Sequence, residues 1–348
     1  MPFDIYTPTK IAAVLENKPP VTTFLRDTFF KDSVTFTTKS VNFDIVDGSR
    51  QVAPFVNPKN LGKVIPNKGY KTKTYTAPMT APEKVVTAEE MVDRMPGEQI
   101  LSSASPAQRA VKKLAADLNE LDEMITRREE VMCAEALFKG LINIKGEDID
   151  ETVDFGFTNK ETLTASKKWT TSGSDPIADI KRWQRTISKD GHCKADICIM
   201  SSDVVDAFLR NETVQKLLDI QNYTLAKINP MTMKQGVQYI GTISSLGLSI
   251  YSYDEWYDDD WSEEGKVTTT PFVPAGVCAL FSTSAKFTML YGAISLFDEK
   301  TKAPYTVVGN RFGESFLSDN NRVRMLRLSS RPLAVPHQLK SWFVATVI

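Results

Sequence analysis

Ser105-Pro106-Ala107-Gln108 is the most constraining local signal in this chain. Serine is a strong helix cap, proline suits the first helical position, and a glutamine three residues after the cap completes a capping box. Gly140 supplies the matching C-terminal stop. A helix from Pro106 to Lys139 would be about 50 Å long at 1.5 Å per residue. Ala107, Val111, Leu114, Leu118, Leu121 and Ile125 follow steps of four and three until Arg128 interrupts before Met132. Glu123 and Arg127 stand at i,i+4 on the outer surface. The pattern predicts a helix laid across a sheet, with a short coiled coil as the alternative.

Around that rod the chain has 348 residues, enough for two domains or one large core with appendages. With 42% hydrophobic and 24% charged residues it has a globular balance, which excludes wholesale disorder. Lys+Arg number 42 against Asp+Glu 43, so the basic excess of a phosphate-neutralising nucleic-acid binder is missing. Residues 1–20 carry Asp4, Lys10, Glu16 and Lys18 and lack the apolar centre of a signal peptide. The uncharged stretch around 267–285 is broken by Pro271 and Pro274, a poor membrane helix. Cys133, Cys193, Cys198 and Cys278 are expected to be the reduced thiols of a cytosolic protein.

The first 45 residues read as an arm packed on something else. A short helix around Ile11, Ala12, Val14 and Leu15 stops at Pro19-Pro20; Phe24-Leu25-Arg26, Phe29-Phe30 and a strand-like run from Val34 to Ile45 follow. The window Gly48–Pro82 has no acid and six cations: Arg50, Lys59, Lys63, Lys68, Lys71 and Lys73. Val52–Val56 and Tyr70–Thr76 fit a two-stranded excursion with turns at Asp47-Gly48 and Asn67-Lys68-Gly69. It is either a solvated loop or a projecting β-loop laid on an acidic partner.

Beyond Gly140, Leu141–Lys145 and Val153–Phe157 are expected to pair across an acidic turn at Glu147-Asp148. Asp175-Pro176 opens a second helix that ends at Gly191, and Ala195–Met200 reads as a core strand. Helical segments at Val204–Leu209 and Val214–Ile220 precede strands at Gln238–Ile243, Leu248–Tyr253, Val277–Phe281 and Arg324–Leu328. Helices and strands mix without regular βαβ alternation, so the expected class is α+β.

Catalytic constellations are thin. The two histidines, His192 and His337, leave little for triads or metal sites, and no phosphate loop or nucleophile elbow occurs. His192, Cys193 and Cys198 match no common zinc spacing; Cys198 reads as a core-strand residue and His192 as a cap on the preceding turn. No catalytic, cofactor or metal residue is therefore assigned. Asp254–Glu264 holds seven acids in eleven residues, without the alternation and glycine of a calcium loop. It reads as a solvated hairpin tip, but Trp256, Tyr257 and Trp261 also suit a protein contact. A basic window and an acidic window separated in one chain suit self-association.

Several ordered pieces then carry a resemblance. They include Phe36-Thr37-Thr38-Lys39, Val52-Ala53-Pro54-Phe55-Val56, Arg94 with Gly97-Glu98, and the Ser105-Pro106 helix with Arg109, Leu121 and Glu129. Asp154-Phe155-Gly156, Trp169, Asp175-Pro176, Tyr239-Ile240-Gly241, Phe272-Val273-Pro274, Tyr291-Gly292 and Ser330-Arg331-Pro332-Leu333 follow. In this order and spacing the chain resembles the major capsid proteins of tailed bacteriophages, in the family of the lambda head protein. The acidic 254–264 segment looks longer than that pattern needs.

The resemblance implies the Hong Kong 97-type α+β fold. Its expected parts are an N-terminal arm (1–46), an extended β-loop (47–92), a peripheral domain (93–180) with the spine helix 106–139, an axial domain (181–312) and return strands (313–348). It also implies hexamers and pentamers closing into an icosahedral shell around double-stranded DNA, with portal, scaffold and decoration proteins as partners and no membrane. Such a chain is made in the bacterial host cytoplasm and ends in the virion. The candidate subunit-contact residues are Arg50, Lys63, Lys71, Lys73, Arg94, Glu98, Trp256, Asp259 and Trp261. Rival readings are an encapsulin-type nanocompartment, a soluble enzyme and a coiled-coil adaptor.

Overall fold

Val277–Phe281 and Ile197–Met200 are short apolar runs, and such runs become strands buried on both faces. In the computed structural model they lie side by side in a mixed seven-stranded sheet. Its order is Lys160–Thr162, Phe343–Thr346, Val277–Phe281, Ile197–Met200, Leu248–Tyr253, Val237–Ile243, Ala226–Thr232. The structure describes residues 11, 23–38, 40–46, 70–87, 89–91, 105–146, 149–219, 226–232, 236–259, 266–297, 303–317 and 323–348.

Because side chains alternate along a strand, this sheet divides two cores. Cys198, Met200, Cys278, Leu280 and Phe343 face one side, against Trp169, Ile180, Trp183, Val204 and Phe208. The helices Pro176–Thr186 and Ser202–Arg210 supply most of that layer. Asp175 caps the first through the Ile177 and Ala178 amides at 3.1 and 3.0 Å, as its sequence position predicts. The left-handed residue after this helix is His192 (φ 59°), one position beyond the expected Gly191. Ile199, Ala279, Phe281 and Val344 face the opposite side, against Leu25, Phe29, Leu137 and Phe138.

The long helix runs Pro106–Ala134 and widens at its end into a π turn, Glu135–Lys139, before Gly140 at φ 67°. The capping box is formed: the Gln108 amide donates to Ser105 Oγ, and the Ser105 amide donates to Gln108 Oε1. Leu114, Leu118, Leu121 and Ile125 pack on Val86, Leu326 and Leu328 of a three-stranded sheet, with Ile11 beside them. That sheet orders Phe312–Leu317, Val323–Ser329 and Glu83–Thr87. The helix therefore lies across a sheet. Val111 is 45% exposed, so the apolar stripe meets its partner only from Leu114 onward.

The strand-like run of the arm divides in two. Asp32–Thr35 adds parallel to Phe287–Tyr291, which pairs with Pro332–Pro336. Ser40–Val46 forms an antiparallel ladder with Tyr70–Thr76, in register from Ser40 opposite Thr76 to Val46 opposite Tyr70. This ladder joins the segments 1–46 and 47–92, and Val52–Val56 lies outside the described residues. Phe343–Thr346, from the 313–348 segment, joins the sheet built by 181–312. The hairpin after Gly140 pairs Leu141–Gly146 with Ile149–Asp154, so the second strand lies earlier than the expected Val153–Phe157. Phe155 and Phe157 are buried just beyond its end.

Candidate assembly interface

A six-residue helix such as Phe24–Phe29 cannot stand alone, because nucleation costs more than so few bonds return. Thr23 sits at its cap position without a capping bond of its own, and its amide and hydroxyl donate instead to Asp27 at 3.0 and 3.1 Å. The missing acceptor comes from the long helix. The Leu25 amide donates to Glu130 Oε1 at 2.7 Å and the Arg26 amide to Glu130 Oε2 at 3.0 Å. Tyr253 Oη donates to the same carboxyl at 3.3 Å and lies 3.2 Å from Glu255 Oε2. Burial pushes the Glu130 carboxyl up to about 7, although its amide and phenol donors favour the charge.

Beside it, Glu129 is 0% exposed and meets two arginines. Arg26 Nη1 approaches at 2.8 Å and Arg311 Nη1 at 2.6 Å. Arg311 also donates to Asp122 at 2.7 Å and to Thr126 Oγ1 at 3.3 Å. Burial works against the Arg311 charge, but the Glu129 and Asp122 carboxylates outweigh it and hold its pKa above the ordinary value. About two turns of the long helix, Asp122 to Glu130, thus tie together the arm and the residues that lead into the last strands.

The helix end is fastened as firmly. Trp342 Nε1 donates 2.9 Å to the Leu137 carbonyl, one of the acceptors a helix end leaves open. The ring of Trp342 stacks on Phe157, with centroids 4.5 Å apart. Glu135 accepts from Lys139 at 2.9 Å and from the Asn143 amide at 3.0 Å, joining the π turn to the hairpin.

An open groove of about 330 Å³ lies between the long helix, that hairpin and the strap 78–82. Val131, Met132, Ile142 and Ile144 line it, with exposed Met79, Met124 and Ile149 and the cations Arg127 and Arg128. Tyr257 and Asp258 close one side. They belong to the acidic hairpin, where Trp256–Asp259 pairs with Thr268–Pro271. Its inner face is seated by Tyr257 against Phe272, centroids 5.2 Å apart. On the outer face Trp256 is 54% exposed and donates to Asp254 Oδ1 at 3.2 Å.

Among the contact residues expected from sequence, Trp256 and Asp259 thus share this hairpin. Lys71 and Lys73 stand opposite Ile45 and Phe43 in the arm ladder. Arg50, Lys63, Arg94, Glu98 and Trp261 lie outside the described residues. Glu129, Glu130 and Arg311 were not singled out as contact residues by sequence reasoning. Their signal was faint: the stripe breaks at Arg128, and Glu129 and Glu130 follow it directly, still ahead of Met132. Among the described residues no group of three or more His, Cys, Asp or Glu is placed to hold a metal ion, and no helix is long and apolar enough to cross a membrane.

Residues 7–347 match the family described as phage major capsid protein E. The chain belongs to this family. It is 24% identical to the major capsid protein of Enterobacteria phage P21 over 346 residues, covering 95% of this chain and 96% of that one. It is also 24% identical to the major capsid protein of Escherichia phage lambda over 300 residues, 84% of each chain. A crystal structure of a prophage protein of Escherichia coli CFT073, assigned as a capsid protein, superposes with TM-score 0.71 at 17% identity over 99% of both chains. A phage-related protein from Bordetella bronchiseptica RB50 gives 0.55 at 12% identity, over 98% and 96%. This family member has the Hong Kong 97-type fold, with the long helix as its spine. Its buried ion pairs and capped arm helix are the internal fastenings of a capsid subunit.

Proposed function

We propose that this major capsid protein self-assembles into the hexamers and pentamers of an icosahedral phage head enclosing double-stranded DNA. The observation that carries this reading is the family match along residues 7–347. Its parts would be the arm 1–46, the extended loop 47–92, the peripheral domain 93–180, the axial domain 181–312 and the return strands 313–348. The work is structural: subunits bind one another, and no side chain is asked to make or break a bond. Portal, scaffold and decoration proteins are the expected partners. DNA is enclosed without sequence reading, in keeping with a chain of net charge -1. Synthesis and assembly take place in the cytoplasm of a bacterial host, and the product is a virion component.

The cationic loop would lie on acidic groups of an adjacent subunit through Lys63, Lys71 and Lys73. Each exposed pair contributes only about 0–1 kcal/mol, but a shell repeats it many times. Sedimentation and electron microscopy of the expressed protein test the whole reading. Megadalton shells with five- and six-fold capsomers are expected, and a stable small oligomer would refute it.

A further inference from the structure

Cys198 and Cys278 place their sulfurs 3.6 Å apart, in contact, in the middle of the seven-stranded sheet. Their strands run antiparallel, with Cys198 opposite Leu280 and Cys278 opposite Met200, so the two cysteines are diagonal neighbours. A two-residue offset keeps both side chains on one face. That face belongs to the core of Ile180, Trp183, Val204 and Phe343, and both cysteines are fully buried there as free thiols. The other two thiols stand apart. Cys133 lies in the core on the opposite side of the sheet, and Cys193 Sγ is engaged 3.7 Å from the Ser341 carbonyl oxygen. A pair of small apolar residues would fill the same space; what two sulfurs add is a bond.

We propose that Cys198 and Cys278 are an oxidation site, where a disulfide closes after folding and locks the central sheet. The sulfurs must approach by about 1.5 Å more to reach the roughly 2 Å of a disulfide, a matter of side-chain rotation and a small strand shift. The oxidant is a peroxide small enough to enter when the sheet opens locally. One cysteine, as thiolate, attacks a peroxide oxygen and becomes a sulfenic acid, and the other peroxide oxygen leaves as water. The second sulfur then attacks the sulfenic sulfur and expels the oxygen as a second water. Two thiols and one hydrogen peroxide thus give one disulfide and two waters.

The bond joins positions 80 residues apart. Between them the chain leaves the sheet at Met200, builds the helices Ser202–Arg210 and Glu212–Asp219 and the strands Val237–Ile243 and Leu248–Tyr253, and returns at Val277. A link across the base of so long a loop stabilises the fold by restricting the unfolded chain. Burial pushes the Cys278 thiol well above its ordinary value, which keeps the reaction slow. Slowness suits the order of events: the sheet forms in a reducing cytoplasm, and oxidant acts outside the host. That setting rests on the virion reading above, whereas the bond itself belongs to one subunit. Once closed it is sealed from reductants by the same burial.

The test uses the full-length chain carrying Cys193→Ser, which leaves the buried Cys133, Cys198 and Cys278. The folded protein is warmed to just below its melt in dilute hydrogen peroxide, then denatured in N-ethylmaleimide, digested and weighed by mass spectrometry. A peptide pair linked through Cys198 and Cys278 is expected, with Cys133 as the one thiol blocked by maleimide. Three blocked thiols, or a link through Cys133, would overturn the site. In a second arm the oxidised protein should melt roughly 5–10 °C above the reduced one. Dithiothreitol should remove that gain only when denaturant is present. Cys278→Ala should melt at the same temperature with and without peroxide; where that variant does not fold, the two melts of the parent still decide. A linked protein that melts no higher than the reduced one would end the lock. None of these readouts needs a shell, so a failure of assembly and a failure of the bond are seen separately.

Discussion

Glu130 caps a helix that begins 106 positions earlier in the chain: its Oε1 accepts the Leu25 amide at 2.7 Å. The arm helix lacks a cap of its own, and the spine supplies one. The same carboxyl reaches Tyr253 in the seven-stranded sheet, so a single side chain registers arm, spine and sheet.

The pH dependence of this junction has a definite sign. Folded Glu130 keeps its proton up to about pH 7, whereas in the unfolded chain it is lost near 4.5. Between those values folding takes up a proton, so this group's contribution to stability falls as pH rises. The full loss is about 3 kcal/mol at most, from about 1.4 kcal/mol per pH unit. In urea denaturation of the unassembled subunit, Glu130→Gln should flatten the decline between pH 5 and 7. A variant whose slope matches the parent would rule the effect out.

His337 acts in the opposite direction. Its Nε2 lies 2.7 Å from Thr288 Oγ1, where burial pushes the imidazole down to about 4; Lys286 adds to the effect and Asp32 opposes it. Below about 6.5 the unfolded chain binds a proton that the folded one refuses, so stability is lost as pH falls from there to about 4. His337→Gln should lose less stability than the parent between pH 6.5 and 4.5. Urea midpoints across that range give the comparison.

The buried ion cluster should be intolerant of half-removal. Arg311→Met takes away the 2.6 Å partner of the buried Glu129 and leaves it to Arg26 at 2.8 Å, and should cost about 3 kcal/mol. Replacing Glu129 by Leu in the same chain should recover part of that loss, since the underpaired buried charge goes while Arg26 keeps some access to solvent. Thermal unfolding of the single and double variants gives the answer; a double variant no better than Arg311→Met would contradict the account.

Gly140 ends the spine at φ 67°, and a Cβ there would overlap the Cβ of Phe157. Gly140→Ala should therefore cost more than the roughly 1 kcal/mol of the left-handed backbone alone. Adding Phe157→Gly, which removes the overlapping Cβ, should relieve the overlap and leave the backbone share. Circular dichroism melts of the two variants separate strain from overlap.

The spine was legible in sequence because its signals are local: Ser105, Pro106 and Gln108 lie within one turn, and Gly140 is a stop of its own. The strands Leu248–Tyr253 and Val277–Phe281 were legible because an apolar run between turns has few other uses. The basic and acidic windows and the family pattern were read from residue order alone. Pairing was not. The ladder of Ser40–Val46 with Tyr70–Thr76, the place of Phe343–Thr346 in the central sheet, and the capping of Leu25 by Glu130 link positions 24 to 184 residues apart. Only the closed tertiary structure brings such groups within hydrogen-bond reach. The sequence by itself determined which segments are helix, strand and charge. Tertiary structure decided which of them meet, because the free energy of a buried carboxylate or a shared strand edge depends on partners that no local window contains.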